Sequence, residues 1–269
     1  MYRRRLLRGL TAGGLAPLAA GCLGGRGGGS DSSSHTHLDR PESQRADSAD
    51  LPYPAWSQQL PTATLPDPLA GESVTTTQYE GERNVMLTCF YSHCPNVCQQ
   101  MIGQMRNVQA DAVKNGYADE VAFLAITFDP ERDTKARLAE YAKEKHVALD
   151  AGNWHFLRPN SVSRAKAVVT EKFGIKFQKR TPTGRPSGAA NGTGTGTATG
   201  TTTATGTGDG TTTATATGKG SGYFFTHIGL VFLVNVDGYV ERAYQFAQSG
   251  NPPWQDRRDD LKTLVDREG

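Results

Sequence analysis

The amino-acid sequence predicts an α/β domain, a sheet flanked by helices, with one low-complexity insertion interrupting it. Three observations predict this. Short continuous apolar runs stand at 84–91 (NVMLTCFY), 120–128 (EVAFLAITF) and 228–236 (IGLVFLVNV), and runs without alternation read as strands covered on both faces. Segments with apolar side chains at helical spacing lie between and around them. Finally, Thr, Gly and Ala fill 31 of the 36 positions of 187–222, and such a tract has no side chains with which to build a core.

In chain order, residues 1–22 (MYRRRLLRGLTAGGLAPLAAGC) read as an export signal. A basic stretch, RRRLLR, precedes a short and weakly apolar one, too short to span a membrane. The paired arginines resemble a twin-arginine signal. LAAGC resembles a lipobox, in which Cys22 becomes the lipidated first residue of the mature chain. Residues 23–50 are rich in Gly, Ser and charge. They have too little apolar surface to offset chain entropy, and are expected to be a flexible tether. His35 and His37 lie in it and read as solvated rather than metal-binding. The folded domain is expected over 51–180 and 223–269, with 181–222 as the Thr/Gly/Ala-rich insertion, disordered or glycan-bearing. Its position is tolerable, because loop-closure cost grows slowly with length.

The charge balance excludes some functions. The formal charge is +2. Without the four arginines of the signal, 25 basic residues face 27 acidic ones. No basic face argues for nucleic acid, and no apolar run of about 18 residues argues for a spanning helix.

Within the domain, SVTTTQY (73–79) has the β-branched content of a strand. After the first core strand, 96–115 carries Val97, Met101, Met105, Val108, Ala112 and Val113 at helical spacing. The second core strand is followed by a helix over 133–146, opened by Asp133 or Thr134 as N-cap, with Leu138, Tyr141 and Ala142 on one face. A third helix, 161–173, ends at Gly174. The strand at 228–236 turns at Asp237-Gly238 into an alternating strand, which predicts a hairpin. A proline-initiated helix over 252–268 closes the chain. Strand–helix–strand units favour parallel pairing with right-handed crossovers, and such a unit followed by a hairpin and a closing helix is the thioredoxin plan.

The chemistry concentrates in the cysteines. Cys89 sits mid-strand, where a free cysteine is ordinarily a small core residue. Cys94 and Cys98 follow the strand end and straddle the start of a helix. A four-residue offset puts both sulfurs on one helix face, and a helix N-terminus favours thiolate. Such a pair can close a disulfide or clamp a soft ion: Cu(I), Zn(II) or an iron–sulfur cluster. Spacing alone does not decide. Cys-x-x-x-Cys departs from the Cys-x-x-Cys of redox thioredoxins, and a structural zinc site or a cluster needs four ligands. His227, just ahead of a core strand, falls near the loop that faces the Cys94 helix. Two thiolates and one imidazole make a three-coordinate pocket suited to Cu(I), and to Cu(II) if a further donor joins.

FYSHCPNVCQQMI, FLAITFDPERDT and THIGLVFLVNVDG together resemble the three motifs of the Sco/SenC family. Members are thioredoxin-fold copper proteins that help assemble the binuclear copper site of cytochrome c oxidase. The resemblance covers about 75–180 and 222–268 and implies copper ligation by Cys94, Cys98 and His227. It also implies delivery to the copper-receiving subunit of a respiratory oxidase, while the signal and lipobox of 1–22 lead one to expect a lipid anchor on the extracytoplasmic face of the cell membrane. Two departures stand out. Gln99 follows the second cysteine where members often carry proline, and Thr226-His227-Ile228 replaces an Asp-His-Ser, removing an acidic neighbour that would orient the ring.

Other candidates read more simply. His93 is expected at the loop surface, Asp129 as a cap or outer acceptor, Asp133 and Thr134 as caps, and Met101 and Met105 as core. His146 and His155 have no partner legible in sequence. Trp154 and Trp254 read as packing. The same thiols also allow a thiol–disulfide reductase that keeps an acceptor's cysteines reduced and does not need His227. A peroxidase-like role lacks the arginine and Pro-Thr-Cys context it requires.

Overall fold

The computed structural model describes residues 35–181, 222–246 and 253–268. The expected export signal at 1–22, its Cys22 and the interior of the Thr/Gly/Ala-rich tract lie outside the described residues.

A five-stranded sheet carries the domain, in the order β5-β4-β3-β8-β9. β3 (Asn84–Phe90), β4 (Val121–Thr127) and β5 (Trp154–Leu157) run parallel, while β8 (Gly229–Val234) pairs antiparallel with β3 and with β9 (Val240–Phe246). Every residue of β3, β4 and β8 is buried, as expected of runs covered on both faces. The β8–β9 turn is the expected one: Gly238 donates to the Asn235 carbonyl at 3.0 Å and holds φ 82°, a conformation open to glycine.

Helices cover both faces. α1 (Val97–Asn115) buries Cys98, Met101, Ile102, Met105, Val108, Gln109 and Ala112. Val113, expected on that face, is exposed instead. α2 (Lys135–Glu144) is capped by Thr134, whose hydroxyl accepts from the Arg137 N–H at 3.2 Å. α3 opens at Ser161 as Val162–Ala165, continues as a π-helical stretch Lys166–Lys172, and gives way to Gly174 at φ 67°. α4 is Trp254–Glu268. No helix of the described residues is long and apolar enough to cross a membrane.

Five strands were not expected as they stand. β1 (Thr64–Asp67) and β2 (Glu72–Thr75) form a hairpin against the sheet edge, so the strand read at 73–79 is shorter and starts earlier. β5 is an edge strand of four residues, and its Trp154 stacks on Phe123 of the neighbouring β4 at 5.3 Å. Its His155 is buried between Asp67 (Nδ1 to Oδ2, 3.0 Å) and the Tyr79 hydroxyl (Nε2, 2.8 Å), which ties the hairpin to the sheet. β6 (Phe177–Arg180) and β7 (Phe224–His227) pair antiparallel, with Arg180 opposite Phe224. The low-complexity tract is therefore the connection of a hairpin whose two stems are neighbours, and a short closure distance costs the fold little.

The expected tether needs a correction over its second half. Residues 35–50 are not free chain. Glu241, fully buried, accepts from the backbone N–H of His37 (2.7 Å) and Leu38 (2.9 Å), and the His35 ring stacks on Tyr239 at 4.5 Å. The Trp56 indole N–H donates to the Leu38 carbonyl at 2.9 Å. The segment lacks a core of its own but borrows one buried carboxylate, for which hydrogen bonds offset the cost of burial.

Candidate metal centre

The C-terminal end of β3 delivers the chain into the loop Tyr91–Asn96, and α1 begins at Val97. That end of the sheet, where the loop, the start of α1 and the β7–β8 junction meet, is where Cys94, Cys98 and His227 converge. Their ligand atoms all lie within 4.8 Å of one another, and all three residues are buried. His227 Nε2 stands 3.3 Å from Cys98 Sγ and 3.9 Å from Cys94 Sγ. The three cysteines among the described residues are free, and Cys89 is buried in the core as expected.

Local structure fixes each donor. The first turn of α1 aims the Cys98 N–H at Cys94 Sγ, 3.5 Å away, so the sulfur occupies the place of a helix-capping acceptor. A hydrogen bond from the Cys98 thiol comes first among the causes that pull the Cys94 thiol down to about 4, against burial, which raises it. His227 and the backbone N–H groups of Cys98 and Asn96 add to the lowering. Burial, and then the neighbouring Cys94 sulfur, push Cys98 well above the ordinary thiol range. One thiolate thus sits beside one thiol.

The imidazole is held by its far nitrogen. His227 Nδ1 lies 3.1 Å from the Ile228 carbonyl, a pairing that holds a proton on Nδ1 and turns Nε2 toward the sulfurs. A backbone carbonyl therefore does what the missing acidic neighbour was expected to do. Tyr91 and Phe128 wall the ring, with centroids at 5.8 and 5.0 Å.

The loop has its own anchor. Asp133, read from sequence as a cap, is instead fully buried and points back under the loop. It accepts from the Ser92 N–H (3.2 and 3.1 Å to its two oxygens), the Ser92 hydroxyl (2.5 Å) and the Thr127 hydroxyl. Capping falls to Thr134 alone. Gln99, at the position where proline was expected, donates to the Cys94 carbonyl at 3.1 Å and accepts from Lys145 at 2.9 Å, linking the loop to α2.

Other residues fall elsewhere. His93 is exposed, its Nδ1 3.1 Å from the Ser92 hydroxyl, and it is not in the donor group. Asp129 is buried and accepts from Arg132 (2.5 Å) and the Tyr223 hydroxyl (2.7 Å), which clamps the stem of β7 rather than the sulfurs. Met101 and Met105 are core.

The donor set fits a soft ion. Metal–sulfur and metal–nitrogen bonds of about 2.3 and 2.0 Å, at angles of about 110–120°, set sulfur–nitrogen separations of about 3.5–3.7 Å. The observed 3.3 and 3.9 Å bracket that range.

The family model described as SCO1/SenC matches residues 68–188, which includes both cysteines and ends before His227. The mouse mitochondrial SCO1 homolog is 35% identical over 74 residues, 28% of this chain and 26% of that protein. The human one is 34% identical over 86 residues, 29% of each. The matched stretch thus spans about a quarter of the curated relatives' length. Among solved structures, a SCO1/SenC family lipoprotein from Bacillus anthracis superposes with a TM-score of 0.52 at 18% identity, over 78% of this chain and 96% of that one. BsSco, described as a member of the Sco family of cytochrome c oxidase assembly proteins, gives 0.50 at 18% identity, over 78% and 95%. At that identity the likeness establishes the thioredoxin-like fold shared with Sco proteins.

Proposed function

We propose that this chain is a copper-handling protein of the Sco/SenC kind, which binds copper through Cys94, Cys98 and His227 and passes it to the copper site of a respiratory oxidase. The observation that carries the reading is the convergence of two sulfurs and one imidazole nitrogen, from three separate positions of the fold, within 4.8 Å. Thiolate donors favour Cu(I). Two sulfurs and one nitrogen leave coordination incomplete, so an acceptor's ligand can enter while the ion is still held, and cargo moves by ligand exchange. Cu(II) is accommodated when a fourth donor joins. Nothing in this role requires turnover. Extracytoplasmic placement through the signal at 1–22 and a lipid on Cys22 is part of the same proposal.

Titration tests it. The purified protein takes up one Cu(I) per chain, and His227→Ala weakens uptake by tenfold or more, on the order of the loss when a ligand's environment is disturbed. Unchanged affinity in that variant removes the histidine from the site and defeats the reading.

A second reading rests on the unequal thiols. The Cys94 thiolate attacks one sulfur of an acceptor disulfide and expels the other as a thiolate. Cys98, once deprotonated, then displaces the first acceptor sulfur, leaving a Cys94–Cys98 disulfide and two acceptor thiols. Reduction of a model disulfide by copper-free protein that survives His227→Ala favours this role. The two roles are compatible, since only the reduced pair takes up Cu(I).

A further inference from the structure

Gly229 opens β8 two residues after His227, and α1 crosses over it. A Cβ built on Gly229 would stand 2.5 Å from Val97 Cγ2, 3.3 Å from Met101 Sδ and 3.2 Å from Phe246 Cβ. Ordinary contact begins at 3.4 Å, so the first of these is short by about 0.9 Å. The glycine is therefore required by space: its backbone does not lie in the left-handed region that would otherwise call for one. Val97 does not turn aside freely, because a β-branched side chain in a helix keeps one strongly preferred rotamer. Val97 and Met101 are one turn apart on the same face of α1, and Cys98 is the residue after Val97. The strand that begins at Gly229 is the continuation of the chain that presents His227.

We infer that Gly229 is a positioning residue: its missing side chain lets the first turn of α1 seat against the start of β8, and that seating sets the distance between the Cys98 sulfur and the His227 imidazole. The inference rests on the proposed copper site. Ligand distances in a metal site tolerate about 0.2 Å. A displacement several times larger separates the pair that now stands at 3.3 Å. The expected consequence of a methyl group at 229 is a fold intact but a ligand triangle opened on one edge.

The test uses the full chain with G229A, V97A and the double variant V97A/G229A. Cu(I) affinity is measured by competition, and the ¹⁵N shifts of the His227 ring are recorded in the copper-free protein, where they report the Cys98–His227 contact. G229A is expected to lose tenfold or more in affinity and to shift the His227 ring signals. V97A/G229A, which removes the closest conflict and leaves only the milder approaches to Met101 and Phe246, is expected to return affinity to within about threefold of the parent and the ring signals to those of V97A. Parental affinity and unshifted ring signals in G229A overturn the inference, and so does a double variant no better than G229A or one that fails to fold. A parent chain that binds no copper defeats the proposed function instead, and the ring shifts in the copper-free variants then still decide the spacing.

Discussion

The unequal thiols make a quantitative prediction. With its thiol near about 4, Cys94 is ionised throughout the neutral range, whereas a thiol at its ordinary value of 9.0 is not. At pH 5 the thiolate fraction is then about 90% instead of about 0.01%, a ratio of about 10⁴. A weakly basic thiolate is also a poorer nucleophile: with a Brønsted slope of about 0.4–0.5 over five pKa units, it loses about 100- to 300-fold. The two effects oppose each other, and ionisation wins at low pH, leaving the Cys94 sulfur intrinsically about 30- to 100-fold more reactive at pH 5 than the same cysteine in denaturant, a ratio that the burial of Cys94 reduces by limiting reagent access. Iodoacetamide labelling of the copper-free protein from pH 3.5 to 9, with the modified peptides identified by mass, separates Cys94 from Cys22, Cys89 and Cys98, and circular dichroism at each pH verifies the folded state. Cys94 labelling is expected to be flat above pH 5 and to fall by half near 4. Cys98→Ala removes the leading cause of the lowering and moves that midpoint upward, more than His227→Ala does. A Cys94 midpoint between 8 and 9 in the folded parent refutes the hydrogen-bond account of the pair.

Two further predictions concern the scaffold. Asp133→Asn replaces a carboxylate that collects the Ser92 N–H, the Ser92 hydroxyl and the Thr127 hydroxyl, so it costs about 2–4 kcal/mol in urea unfolding, and copper affinity falls with it because the same loop carries Cys94. Tyr79→Phe leaves the buried His155 Nε2 without the hydroxyl it meets at 2.8 Å, which costs about 1–3 kcal/mol while Cu(I) affinity stays at the parental value, since the hairpin tie is separate from the donor group.

How far the sequence discloses this molecule depends on how local each cause is. The core strands β3, β4 and β8 announce themselves because continuous apolar runs suit burial on both faces, and α2 because Thr134 caps it. β5 escapes because four residues containing a histidine carry no periodicity, and only its place beside β4 and the Asp67–His155–Tyr79 chain makes it a strand. β6 and β7 escape because β6 is largely exposed, with burial too slight to imprint a pattern. The docking of 35–50 is set by Glu241, some 200 positions away, which no local composition reveals. In the site the same rule holds. Cys94 and Cys98 are legible because one helix turn joins them, and His227 because it precedes a recognisable strand. Asp133 looked like a cap because caps and loop anchors share residue types, and Gly229 looked like nothing at all because its constraint is a side chain arriving from another element.

X-ray absorption of the Cu(I)-loaded protein tests the central claim most directly, because it counts the atoms bound to copper. The account predicts two sulfur neighbours and one nitrogen with the outer-shell scattering of an imidazole, and loss of that imidazole signal alone in His227→Ala. A parent spectrum with sulfur neighbours only, or one that His227→Ala leaves unchanged, contradicts it.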